Sequence, residues 1–74
     1  MERLGLPHEA QLTLKRYHIC FAELHHEEFS VGETYSVELG SETRVVRVIG
    51  AQDSPAGRKH HNRFAIFALE KVGQ

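Results

Sequence analysis

A chain of 74 residues with 41% hydrophobic and 26% charged residues fits one small domain and is too apolar for a disordered protein. The formal net charge of −1 excludes the strongly basic composition expected of most nucleic-acid-binding domains. The charge is unevenly distributed, because residues 1–20 carry a net +1, residues 21–42 a net −6 and residues 43–74 a net +4. We therefore predict a single small globular domain over residues 1–74 with two oppositely charged regions.

The cysteine content and the hydropathy indicate the cellular compartment of the protein. The one cysteine, Cys20, cannot form an intramolecular disulfide, and small secreted domains usually contain several, so a reducing compartment is expected. No apolar run approaches the roughly 18 residues of a membrane span, and residues 1–7 lack the apolar stretch of a signal peptide. The sequence thus predicts a cytoplasmic protein with no membrane partner. A domain this small also favours surface recognition over chemistry in a large buried pocket.

The first third of the chain supports two interpretations, so residues 8–28 are open between helix and strand. A helix would place these apolar side chains on one stripe, after Pro7 near a favourable first-turn position: Ala10, Leu14, Tyr17, Phe21 and Leu24. Strands would place Tyr17, Ile19 and Phe21 on one face, after a bulge near residues 15–16. The run 17–21 has poor helix propensity and good strand propensity, so the strand is preferred.

A β-hairpin is predicted in the middle of the chain. Tyr35, Val37 and Leu39 alternate with polar residues between Glu33 and Leu39, which is the period of a strand with one wet face. Residues 40–41 are Gly-Ser and suit a tight turn, because glycine accepts a positive φ. Residues 42–49 are then the returning strand, with β-branched residues on both faces.

The second half contains a polar loop and one more element. Residues 53–62 include Pro, Gly and Asn and almost nothing apolar, which is a loop composition. Residues 63–72 contain large apolar side chains on both faces and favour a strand, although residues 68–71 also suit a helix.

These elements predict an all-β domain. A curled antiparallel sheet of four to five strands, or an SH3-like or OB-like barrel, would remove the exposed edges that a few open strands leave. The alternative is an α+β fold in which an N-terminal helix packs on a three-stranded antiparallel sheet.

The polar loop contains the strongest candidate for a binding site. It combines three permanent cations, two imidazoles and an amide with no acid among them: Arg58, Lys59, His60, His61, Asn62 and Arg63. Arginine and lysine neutralise phosphates, asparagine can bind a base edge, and histidine can stack on a base. A solvated loop with no function has the same composition, and no aromatic residue lies within this one. The leading prediction is a non-enzymatic binding module that contacts nucleic-acid phosphates through residues 58–63.

The acidic region suggests a second function. Six glutamates and no lysine or arginine lie between Phe21 and Glu42, which is most simply a solvated face. Alternatively, this face binds a basic partner protein, as an accessory or inhibitor protein would, or the basic loop of a second copy in a homodimer. The residues predicted for such a partner surface are Glu27, Glu28, Phe29 and Tyr35.

Chemistry beyond binding has little support in the sequence. Residues 25–28, His-His-Glu-Glu, together with His60 and His61 are numerous enough for zinc but lack a specific ligand spacing, so no metal or other cofactor is predicted. Cys20 lies in an apolar run and is expected to pack in the core. A metal-free nuclease using His60 or His61 needs geometry that the sequence does not reveal, and no catalytic motif is present, so we predict no enzymatic activity and no catalytic residue.

Overall fold

The computed structural model describes residues 1–53 and 62–71, in which one helix packs on one face of a four-stranded antiparallel sheet. The elements are α1 (His8–Tyr17), β1 (Ile19–His25), β2 (Thr34–Leu39), β3 (Glu42–Asp53) and β4 (Asn62–Leu69). The strand order is β1-β4-β3-β2, and every neighbouring pair is antiparallel. Of the strands in residues 1–53 and 62–71, the last along the chain is therefore one of the two central strands.

The sheet is open, because β1 and β2 lie at its opposite edges. The described strands therefore do not close into the predicted barrel, and the α+β alternative fits, with four strands in place of three. The physical reason is that α1 covers one face of the sheet and provides the second layer of the core. Two layers of secondary structure suffice for a small domain, so closure of the sheet is not required.

The start of α1 is set by Pro7, whose carbonyl accepts the first helical hydrogen bond from the backbone N–H of Gln11 at 3.0 Å. Proline has no N–H to leave unsatisfied at a helix start, and Glu9 places a negative charge in the first turn, where the helix dipole favours it.

The end of α1 explains why residues 8–28 fitted neither a single helix nor strands alone. His18 adopts the left-handed conformation, with φ of 65°, and its N–H donates to the carbonyl of Leu14 at 2.8 Å. The left-handed conformation of His18 ends the helix, and β1 begins at the next residue. The strand prediction was therefore wrong for residues 8–17 and is confirmed for residues 19–25.

The apolar residues of this region are distributed between the two faces of the sheet. Ala10 and Leu14 are the buried residues of α1, and every second residue of β1 is buried beneath the helix, from Cys20 to Leu24. Ile19 and Phe21 lie on the opposite face and are exposed. The small side chains at positions 20 and 22 allow the helix to approach the strand closely.

The predicted hairpin is confirmed. Tyr35, Val37 and Leu39 are buried, and Gly40 has the positive φ, 66°, that the turn requires. β3 is longer than predicted and continues to Asp53, past a register shift between Val48 and Gly50. Such a bulge increases the local twist of the strand and changes the direction in which the following side chains point.

The core lies between α1 and the covered face of the sheet. Its largest fully buried side chains come from the helix and from all four strands: Phe67, Leu14, Val37, Val46, Val48 and Cys20. The ring of Phe29, in the β1–β2 connection, packs edge-on against Phe67 with ring centroids 6.4 Å apart. Aromatic pairs favour this edge-to-face arrangement, so the connection is fixed to the sheet.

The outer edge of β2 is covered by the first residues of the chain. The N–H of Ser36 donates to the carbonyl of Glu2 at 2.9 Å, and the N–H of Leu4 donates to the carbonyl of Ser36 at 2.8 Å. Arg3 also forms an ion pair with Glu38. These contacts satisfy part of an edge that would otherwise be open to another strand.

The buried position of Cys20 leads to a testable expectation about its reactivity. Burial raises the pKa of the Cys20 thiol to about 11, so little thiolate is present near pH 8. We expect Cys20 to resist alkylation by iodoacetamide at pH 8 in the folded protein and to react readily in 8 M urea, roughly the concentration that unfolds small domains. Mass spectrometry after a timed pulse of reagent measures this difference. Rapid alkylation without urea would show that the thiol is accessible.

Candidate binding face

The face of the sheet opposite α1, which we call the open face, displays several apolar side chains to solvent. Phe21 is 61% exposed and Phe64 is 40% exposed, and Ile19, two residues before Phe21 on β1, is also exposed. Strand alternation explains the arrangement, because side chains two residues apart share a face and their neighbours enter the core. Contiguous exposed apolar surface on a small protein commonly marks a place where something binds.

The strand register places the two phenylalanines close together. Phe21 lies opposite Ile66 and Glu23 lies opposite Phe64, so the two rings are diagonal neighbours on adjacent strands. Diagonal neighbours on one face are about 7–8 Å apart, which is within reach of aromatic side chains. The open face therefore carries a pair of exposed rings.

Gly50 extends the apolar strip to a third strand. Ile66 lies opposite Gly50, and a Cβ atom placed on Gly50 would lie 3.5 Å from Cδ1 of Ile66. The Ile66 side chain thus occupies the space above Gly50, and the strip from Phe21 through Ile66 to Gly50 crosses β1, β4 and β3.

Polar groups surround the aromatic pair at one end of the open face. Asn62 precedes Phe64 by two residues and lies opposite His25, and Gln52 lies opposite Phe64 on β3. Cross-strand partners share a face, so both amides belong to the open face with Phe64. Glu23 of β1 lies opposite Phe64 and adds one negative charge to the open face.

The basic segment predicted as a binding site joins the sheet at this same end. Arg58, Lys59, His60 and His61 lie outside the described residues, whereas Asn62 and Arg63 are the first two residues of β4. Arg63 donates from Nε to the Asp53 carboxylate at 3.0 Å, so its charge is matched within the protein. Of the two described residues, only Asn62 belongs to the open face.

The two arginines of β3, Arg44 and Arg47, lie on opposite faces of the sheet. Arg47 donates to the Glu70 carboxylate and, at 2.7 Å, to the carbonyl of Gly32, so it joins β3 to neighbouring segments. Arg44 lies opposite the buried Val37 and therefore belongs to the covered face. Arg47 lies opposite Ala68 and so belongs to the open face, but its charge is matched by Glu70 within the protein.

The predicted partner surface is divided by the structure. Glu27 and Glu28 are exposed in the turn after β1. Phe29 and Tyr35 were expected to be exposed aromatics, and both are buried, which corrects that expectation. Their rings pack in the core, and Tyr35 Oη accepts a hydrogen bond from the N–H of Ser30 at 2.7 Å.

The acidic residues are distributed over the two edges of the sheet. Glu23 lies on β1 and Glu38 on β2, with β4 and β3 between them. Glu38 accepts hydrogen bonds from Thr43 and Arg3, which hold the pKa of its carboxyl below the usual range. That carboxylate already has partners within the chain.

The turn after β1 gathers two histidines and a carboxylate. The rings of His25 and His26 have centroids 4.7 Å apart, and Nε2 of His26 lies 3.8 Å from Oε1 of Glu27. One potential ligand atom from each of these three residues lies within 4.8 Å of the others. No metal was predicted here, because adjacent histidines rarely bind the same ion and the sequence has no specific ligand spacing.

A surface depression of about 470 Å³ lies at the opposite edge of the sheet. Its lining comes from the first residues and from the segment that leads into β2: Met1, Glu2, Ser30, Glu33, Thr34 and Tyr35. The two carboxylates make it acidic, and it is separate from the aromatic pair.

Comparison of the chain with protein-family models, with curated proteins and with solved structures finds no match. Within residues 1–53 and 62–71, no helix has the length and apolar character needed to cross a membrane. The functional assignment therefore depends on the open face and the turn beside it.

Proposed function

We propose that this protein is a non-enzymatic binding module that holds single-stranded nucleic acid on the open face of its sheet. The observation that carries the proposal is the pair of exposed rings, Phe21 and Phe64, on adjacent strands. Bases stack on exposed aromatic side chains, and each stacked base contributes about 1–3 kcal/mol to binding.

The neighbouring amides supply the polar part of such a contact. Asn62 and Gln52 lie on the same face as Phe64, and side-chain amides donate to and accept from base edges. In a duplex the bases are already stacked and paired, so a flat aromatic face has access only to unpaired bases. The open face therefore suits a single strand better than a duplex.

Charge determines where the phosphates would lie. Glu23 repels phosphate at the β1 side of the face, whereas residues 58–61 lead directly into Asn62 and contribute Arg58 and Lys59. We expect the backbone of the nucleic acid to lie near Asn62, where the basic segment joins β4, with its bases directed toward Phe64 and Phe21. The affinity should then fall as salt rises, because bound phosphates release counterions.

The test is fluorescence anisotropy with a labelled oligothymidylate and with a duplex of the same length. We expect F21A and F64A each to weaken binding of the single strand by about 5- to 150-fold, which corresponds to the loss of one stacked base. R58E/K59E should also weaken binding and should reduce its salt dependence.

A matched control is Y17A, because Tyr17 is an exposed aromatic, 63% exposed, on α1 and away from the open face. Y17A should bind like the unmodified protein. Failure of the unmodified protein to bind any single strand at low salt, or full binding by F21A/F64A, would contradict the proposal.

A second candidate is an accessory or inhibitor protein that binds a basic partner protein through its acidic residues. The exposed carboxylates of Glu27 and Glu28, adjacent in one turn, favour it. A complex recovered from a lysate should then be lost in E27K/E28K and retained in F21A/F64A. The opposite pattern would assign binding to the open face.

A further inference from the structure

We propose that His25, His26 and Glu27 form a binding site for a divalent transition-metal ion of the zinc type. The three side chains supply two imidazole nitrogens and one carboxylate oxygen, and these atoms lie within 4.8 Å of one another. The three residues lie in and beside the turn after β1 and include neither ring of the aromatic pair, although His25 lies opposite Asn62 at the end of the open face.

The backbone of the turn brings the three donors together. His25 is the last residue of β1, and its carbonyl accepts a hydrogen bond from the N–H of Glu28 at 3.0 Å, which closes a tight turn. The alternation of the strand ends there, so the ring of His26 tilts by only 32° from that of His25. Adjacent histidines therefore present their rings to the same volume, which a continued strand would not allow.

The hydrogen bonding of His25 is compatible with metal binding. Its Nδ1 accepts the N–H of Glu27 at 3.3 Å, so the lone pair of that nitrogen points into the turn. A metal ligand must be a deprotonated nitrogen of this kind. The bond is long, and a metal ion at Nδ1 would replace a weak interaction with a strong one.

The spacing of the donors requires only small adjustments. Donors around a tetrahedral zinc ion, at bond lengths of about 2.0–2.1 Å, lie roughly 3.3 Å apart. His26 Nε2 and Glu27 Oε1, at 3.8 Å, are already close to that separation. Both residues are exposed, so rotation of their side chains can close the remaining distance without disturbing the core.

The donor set determines the class of metal. Imidazole nitrogens favour zinc, copper and nickel, whereas magnesium and calcium favour oxygen ligands. Three protein ligands leave a fourth tetrahedral position for water or for a ligand atom from a bound partner. The expected occupant is therefore Zn²⁺ with one exchangeable position.

Isothermal titration of the tag-free protein with Zn²⁺, and separately with Mg²⁺, tests the site. We expect one Zn²⁺ per chain and no heat from Mg²⁺, with amide NMR shifts concentrated at residues 25–28. H25A, H26A and E27Q should each weaken Zn²⁺ binding by at least about tenfold.

H8A is the matched control, because His8 is exposed on α1 and is not part of the cluster. It should leave Zn²⁺ binding unchanged. E27Q preserves the size of an exposed side chain, so it keeps the test valid if H25A alters the end of β1. Absence of stoichiometric Zn²⁺ binding, unchanged affinity in E27Q and H26A, or an equal loss in H8A would overturn the proposal.

Discussion

Replacement of Phe67 by alanine should destabilise the domain by about 3–5 kcal/mol, the usual effect of removing a buried aromatic ring. Phe67 is 0% exposed on the central strand β4, lies opposite Val48 and Cys20, and contacts the Phe29 ring. A domain of this size has a total unfolding free energy of roughly 4–11 kcal/mol. The substitution should therefore remove a large part of the stability, which urea denaturation followed by circular dichroism measures.

Phe64 provides the control on the same strand. It carries the same side chain on the opposite face and is 40% exposed, so F64A should cost only about 1–2 kcal/mol. F67L, which retains much of the buried volume, allows measurement if F67A does not fold. Similar losses for F67A and F64A would contradict the assignment of the two faces.

Replacement of Leu14 by alanine should destabilise the domain by about 2–5 kcal/mol, because Leu14 is 0% exposed between α1 and the sheet. An isolated helix of ten residues is marginal in water, so the packing of its apolar face determines whether α1 forms. L14A should unfold at a lower urea concentration than the unmodified protein. Its helical ellipticity at 222 nm should be lost early in the unfolding transition.

Leu12 makes the comparison direct, since it is on the same helix and 55% exposed. L12A removes the same atoms from a solvent-facing position and inserts a residue of higher helix propensity, so its stability should change by less than about 0.5 kcal/mol. A large loss in L12A, or none in L14A, would show that α1 packs through a different face.

The β2–β3 hairpin was predictable because its signals are local. Strict alternation from Tyr35 to Leu39 marks the buried face, and Gly40 permits the positive φ of the turn. The strand character of residues 62–69 was also predictable from their apolar content. Their position between β1 and β3 was not, because strand order depends on long-range packing.

Residues 8–25 show where local signals fail. The aromatic and β-branched run 17–21 has strand propensity, but nothing in its composition marks His18 as the residue that ends the helix in a left-handed conformation. The sequence also did not indicate which face of β1 is buried. The small residues Cys20 and Ala22 are buried and the larger Ile19 and Phe21 are exposed, because α1 packs on the face that carries the small side chains.

The candidate sites were only partly predictable for the same reason. Phe21 and Phe64 are far apart in the sequence, and only the β1–β4 register makes them neighbours. Phe29 was expected to be an exposed aromatic beside an acidic run, whereas its edge-on contact with Phe67 places it inside. The burial of Tyr35 agrees with the strand alternation and removes Tyr35 from the predicted partner surface. The histidine cluster depends on a turn whose geometry the residue types alone do not specify.

The position of β4 in the sheet has a consequence for protein synthesis. β1 has β4 as its strand neighbour, and β4 is the last of the described strands to leave the ribosome. A nascent chain without residues 62–69 can form the β2–β3 hairpin, but β1 has no strand partner then and its apolar residues have no sheet to join. We therefore expect folding to complete only once the last strand has been released, and chaperones that bind apolar segments to engage residues 19–24 until then.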